Sequence, residues 1–95
     1  MTTRIDVRCR PTDAGWRCSV RLTDTTGTAE HEVRVARADL TRLAPTASDP
    51  DELVRRSFAF LLERERKESI LRSFDLRLIA RYFPEYEATI IAPDV

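Results

Sequence analysis

Glycine is scarce in this 95-residue chain, which contains only two glycines. Without a glycine-rich run, the backbone cannot form the loop that cradles phosphate groups in many nucleotide-binding proteins. The single histidine and the two cysteines are too few for a convincing structural zinc site, which usually has four protein ligands. No apolar run approaches the roughly 18–20 residues that a membrane helix needs. These shortages argue against a phosphate-binding loop, a zinc site and a membrane span.

Net charge is also absent, because sixteen basic residues balance sixteen acidic ones. A neutral chain has no overall attraction to nucleic acid or to an anionic membrane. The residues from Met1 to Asp6 lack the apolar core of a signal peptide, so we expect a cytoplasmic protein. In a reducing cytoplasm we expect Cys9 and Cys18 to be free thiols packed as small hydrophobes. Hairpin parity could nevertheless place the two side by side for a disulfide.

The residues that are present divide the chain into two parts with different periodicity. The composition, 42% hydrophobic and 34% charged, is that of one small globular domain covering residues 1–95. Residues 3–36 alternate between apolar and polar with period two, which predicts a three-stranded antiparallel sheet made of two hairpins. Folding the second hairpin about its turn pairs Val20 with His31, so that the inward-facing side chains share one face.

Helical spacing replaces this alternation over residues 38–88. Pro50 suits the first position of a long helix, which we expect to end at about Arg64 or Glu65. One or two shorter helices follow and pack with it on one face of the sheet, and residues 89–95 form a frayed tail. The fold class predicted by these patterns is α+β.

The predicted long helix has large apolar residues on two of its faces. Residues three, four and seven apart share a helical face, and one such stripe can cover the protein's own sheet. Leu53 and Phe60 form a second stripe, which needs another partner. An apolar patch of this kind on a small protein usually marks an interface. The predicted protein interface combines this stripe with residues of the last helix: Leu53, Phe60, Leu78, Tyr82 and Tyr86.

Two interpretations of the second stripe are open at this point. In the first, the protein is a non-catalytic interaction module that binds a second copy of itself as a homodimer, or another protein. In the second, the C-terminal helix folds back and covers Leu53 and Phe60 within one chain. No cofactor, metal or small-molecule substrate is expected in either case. Catalysis is not expected, because His31 is on the inward face of a strand and no serine or cysteine has a nucleophile context.

Arginine is the abundant polar residue type, at fifteen of the sixteen basic residues. An excess of these arginines lies on the outer face of the predicted sheet. The alternative function is therefore a nucleic-acid-binding regulator, antitoxin-like or repressor-like. The face lacks the exposed aromatic residues on which sheet-type RNA-binding proteins stack bases. The candidate contacts are Arg8, Arg10, Arg17, Arg21 and Arg34.

The carboxyl-terminal half contains three distinctive segments, FLLERE, KESIL and YFPEY, at residues 60–65, 67–71 and 82–86. In these segments the chain resembles a group of small bacterial proteins of unassigned function. Those proteins often have proline where this chain has Arg66. The resemblance implies a bacterial family and supplies no activity.

Overall fold

The computed structural model describes residues 2–91 and shows an α+β domain. Three long strands come first: β1 (Arg4–Pro11), β2 (Gly15–Asp24) and β3 (Gly27–Ala36). Two helices follow, α1 (Arg37–Leu43) and α2 (Asp51–Leu62). The C-terminal part consists of a 3₁₀ turn (Lys67–Ser69), a short strand β4 (Ser73–Asp75), and the helices α3 (Leu78–Tyr82) and α4 (Tyr86–Ile91).

The first three strands form two antiparallel hairpins, and the second of these has the predicted register. Val20 of β2 lies opposite His31 of β3, as the alternation requires. Successive side chains of a strand point to opposite faces, so this register places the apolar set inside and the charged set outside. On the outer face Arg21 forms an ion pair with Glu30 at 3.3 Å. The alternation in the sequence was therefore sufficient to define this part of the sheet.

The two cysteines are bonded to each other rather than free. Cys9 of β1 lies directly opposite Cys18 of β2, and their sulfur atoms are 2.01 Å apart. The prediction of two free thiols is therefore wrong. The reason is geometric, because the register of β1 and β2 places the two residues directly opposite each other, and directly opposed side chains are neighbours on one face of the sheet. The first hairpin thus brings the two side chains into bonding range.

The strand β4 is the main difference from the predicted fold. The sheet has the order β1-β2-β3-β4, and β4 runs parallel to β3 with Phe74 beside Val33. The sheet is thus mixed and four-stranded, which corrects the prediction of three antiparallel strands. It also places a strand within residues 38–88, where the sequence predicts helices and loops only. A three-residue strand is too short to show alternation, and its partner lies far earlier in the chain, so local patterns do not reveal it.

Helix α2 covers the inner face of the sheet. It spans Asp51–Leu62, so it begins directly after Pro50 and ends slightly earlier than predicted. The fully buried ring of Phe58 lies 5.6 Å from the ring of His31 and 6.0 Å from the ring of Phe74, measured between centroids. Phe58 therefore joins α2 to both β3 and β4.

The last helix extends beyond the point at which the sequence predicts fraying. α4 continues to Ile91, so residues 89–91 are helical and the prediction of a frayed tail is wrong there; residues 92–95 lie outside the described part. Ile90 is buried, and its carbonyl oxygen accepts a hydrogen bond of 3.0 Å from Arg56 Nη2. These contacts attach α4 to α2. Among the described residues no helix is long and apolar enough to cross a membrane.

The lysine at position 67 connects the 3₁₀ turn to the second hairpin. Its side chain is buried, and Nζ donates hydrogen bonds to Asp24 Oδ1 (3.1 Å), Thr26 Oγ1 (2.6 Å) and Glu68 Oε2 (2.7 Å). These three acceptors match the three donors of the ammonium group, so the buried charge is fully paired. The hydroxyl and the backbone N–H of Thr26, together with Lys67, lower the pKa of Asp24 to about 2.

We expect Asp24 to make the free energy of unfolding depend on pH under acidic conditions. Its pKa is about 2 in the folded chain against an ordinary value of 3.8, so its stabilising effect is complete above the latter and is lost as the pH falls through the former. Urea unfolding measured from about pH 5 to about pH 2 should show a steeper loss of stability for the wild type than for Asp24→Asn. Equal slopes would contradict the stabilisation of this carboxylate by Thr26 and Lys67.

Candidate functional site

The structure divides the five predicted interface residues between the core and the surface. Leu53, Phe60 and Tyr86 are 2%, 4% and 0% exposed, whereas Leu78 is half-buried and Tyr82 is 66% exposed. The first three are buried within the single chain and do not form a contact surface in this fold. This corrects the interface prediction at those three positions, where the fold follows the second interpretation.

The cover over the second stripe of α2 is aromatic. The ring of Phe60 meets the ring of Tyr86 edge-on at 5.2 Å and that of Phe83 at 5.9 Å. The guanidinium of Arg64 lies 3.6 Å from the centroid of the Phe60 ring, in a cation–π contact. The hydroxyl of Tyr86 is 2.6 Å from Ser57 Oγ, inside the same cluster. The second stripe of α2 is thus part of the core, and α4 completes that core.

An apolar groove remains open beside this core, and we call it the C-terminal groove. It lies between the end of α2, the segment that follows the 3₁₀ turn, and α3, and its volume is about 340 Å³. Leu71 and Tyr82, at 49% and 66% exposure, are large apolar side chains left in contact with solvent at its rim. The apolar lining includes Leu61, Ile70, Leu71, Phe74, Leu78 and Tyr82.

A residue of β4 lines the C-terminal groove, and a buried histidine contacts the backbone at its rim. The side chain of Phe74 in β4 is buried and lines the groove. His31 is also buried, and its Nδ1 is 2.8 Å from the carbonyl oxygen of Leu71, which fixes the backbone at the rim. The sequence patterns did not indicate Leu71 as a surface residue. No local signal could have identified it, because its position follows from the pairing of β4 with β3.

Three charged side chains next to the groove have no intramolecular partner. Glu65 lines the groove itself. Arg77 and Arg81, which we call the arginine pair, line an adjoining hollow of about 570 Å³ that shares Phe74 and Leu78 with the groove. Within the part of the chain that the structure describes, the side chains of Glu65, Arg77 and Arg81 have no hydrogen bond or ion pair. These charges are therefore available to an external partner.

The five arginines proposed for nucleic-acid contact lie on the outer face of the sheet, but most are neutralised there. Arg8 and Arg10 of β1 have no ion pair with any residue in the range 2–91. The other three form ion pairs with carboxylates at 3.4, 3.3 and 2.9 Å: Arg17 with Glu32, Arg21 with Glu30, and Arg34 with Asp75. Among the five candidates, the arginines without an ion pair are thus confined to the edge strand β1. The surface available for nucleic-acid contact is smaller than the sequence predicts.

A comparison with protein-family models, curated proteins and solved structures finds no match to this chain. Among residues 2–91, no group of three or more histidine, cysteine, aspartate or glutamate residues is placed to hold a metal ion. The resemblance of the C-terminal segments to small bacterial proteins stays a prediction. The fold and its surface define a small α+β domain with an open apolar groove, the C-terminal groove.

Proposed function

We propose that this chain is a non-catalytic protein-interaction module that self-associates as a homodimer through the C-terminal groove. The proposal rests on the exposure of Leu71 and Tyr82 at the rim of an apolar groove. Transferring one large apolar side chain from water into a packed environment stabilises a protein by roughly 1.5–3 kcal/mol. A second protein that covers this rim therefore gains free energy that the isolated chain cannot.

A second copy of the chain fits this surface because the surface contains both a projection and a cavity. Tyr82 projects into solvent, while the groove beside it is concave. In a two-fold contact, the same patch of each subunit meets the other, so each Tyr82 can enter the groove of the opposite subunit. A tyrosine suits this role, since its ring can be desolvated while its hydroxyl still finds a polar partner. The proposed interface keeps Leu78 and Tyr82 from the sequence-based one and adds Leu71.

Solution mass, measured by light scattering after gel filtration over a wide concentration range, tests the proposal. We expect the wild type to approach twice the monomer mass of 11.0 kDa as the concentration rises. Tyr82→Asp should stay monomeric at the same concentrations and keep its folded circular dichroism spectrum, because the residue is mostly exposed in one chain.

Ile91 offers a matched control, because it is 45% exposed and does not line the groove. Ile91→Asp should therefore dimerise like the wild type. A wild type that is monomeric at every concentration would overturn the proposal. So would a Tyr82→Asp variant whose mass equals that of the wild type.

A further inference from the structure

We propose, on the basis of the self-association just described, that Glu65 of each subunit binds the arginine pair of the other. The arginine pair is Arg77 and Arg81, and the two contacts are related by the two-fold axis of the dimer. The partner copy thus supplies the ion pairs that these three side chains lack within one chain.

The position of the three charges around the groove supports this arrangement. Glu65 lines the groove and not the adjoining hollow, whereas the arginine pair lines the hollow and not the groove. Phe74 and Leu78 line both, so the groove and the hollow meet at these two residues. A two-fold axis that passes near Phe74 and Leu78 places the groove of one subunit opposite the hollow of the other. Each Glu65 is then brought towards the arginine pair of the partner subunit.

Two arginines around α4, in contrast, have carboxylate partners within the chain. Arg64 is bonded to Glu85 at 3.1 Å, and Arg42 is bonded to Glu87 at 2.5 Å. Intramolecular ion pairs thus satisfy the arginines around α4. The carboxylate and the arginine pair at the groove are left without such partners, which is the pattern expected of charges that face a second subunit.

Charge also fixes the orientation of the proposed contact. Arg77 and Arg81 are four residues apart, so they lie on one side of the helical turn and present two guanidinium groups together. A contact that brought the two arginine pairs face to face would place four positive charges together, and the carboxylate in that hollow, Asp75, is already paired with Arg34 at 2.9 Å, so this orientation is unfavourable. The opposite orientation pairs each set with Glu65 of the partner subunit. Arginine can bind a carboxylate through two parallel hydrogen bonds, which adds geometric specificity.

A charge-exchange experiment tests this inference. One variant is Glu65→Arg, and the second combines Arg77→Glu with Arg81→Glu. Each alone places like charges at both contacts of its homodimer, so we expect its self-association to weaken by about tenfold or more at low salt. An equimolar mixture of the two variants places opposite charges at both contacts. We therefore expect the mixture to form a one-to-one heterodimer, detected by light scattering with one variant carrying a mass tag.

The control is a double variant on the outer face of the sheet, Arg8→Glu with Arg10→Glu, which should dimerise like the wild type. All variants change side chains that are exposed or half-buried, and circular dichroism checks that each is folded. If the wild type dimerises, Tyr82→Asp abolishes the dimer and the mixture forms no heterodimer, the ion-pair inference is wrong while the proposed function stands. If the wild type is monomeric, the proposed function fails, and this inference fails with it.

Discussion

Replacing Phe60 by aspartate is expected to unfold the protein. Phe60 is 4% exposed and packs against Phe83, Tyr86 and Arg64, so truncating it removes the centre of the cluster between α2 and α4. Losing such a ring costs about 3–5 kcal/mol. Burying a carboxylate without a partner adds several kcal/mol more. A chain of this length has a total stability of only about 5–14 kcal/mol.

The measurement is circular dichroism with thermal unfolding, and two variants serve as controls. Phe60→Leu keeps an apolar side chain and should remain folded, with a loss of roughly 1–2 kcal/mol. Tyr82→Asp introduces the same carboxylate at an exposed position and should also remain folded. A Phe60→Asp variant that is folded and monomeric would contradict the burial of Phe60. It would restore the sequence-based interpretation, in which Phe60 lies at an interface between chains.

Replacing Tyr86 by alanine should lower the free energy of unfolding by about 3–5 kcal/mol, whereas phenylalanine should cost only about 1 kcal/mol. Tyr86 is fully buried, and burial raises the pKa of its hydroxyl to about 12. Ser57 Oγ donates to the carbonyl oxygen of Leu53 at 2.7 Å, so the Tyr86 hydroxyl donates to Ser57 Oγ at 2.6 Å. Phenylalanine keeps the ring and removes one accepted hydrogen bond from Ser57, which retains its own donated bond.

Urea unfolding followed by the fluorescence of Trp16, the only tryptophan, measures both variants. The difference in the free energy of unfolding between the alanine and phenylalanine variants measures the contribution of the packed ring. If the two variants lose the same stability to within about 0.5 kcal/mol, the ring is not packed against α2, and the cover over Phe60 is not formed in solution.

The hairpins show where local sequence is sufficient. Val20 and His31 face each other as predicted, because a shift of one residue would move every inward side chain to the solvent face. The same argument accounts for the ion pair between Arg21 and Glu30 on the outer face. The start of α2 was also predictable, since Pro50 favours the first turn of a helix.

The candidate site shows where local sequence is insufficient. Tyr82 was predicted as an interface residue, and it is 66% exposed in the single chain. Phe60 and Tyr86 were predicted as interface residues too, yet they bury each other. An apolar stripe on a helix indicates that something covers it, but the same pattern results whether the cover is another chain or a later segment of the same chain.

Local patterns in the sequence are enough to predict the α+β class, the register of the second hairpin and the start of the long helix, because these depend on the period of apolar residues and on backbone preferences at single positions. The pairing of β4, the bond between Cys9 and Cys18, and the cover of Phe60 by α4 are visible only in the folded chain. Each of these depends on which distant segments meet. That choice is made by the packing of the whole core, which no short window of sequence contains.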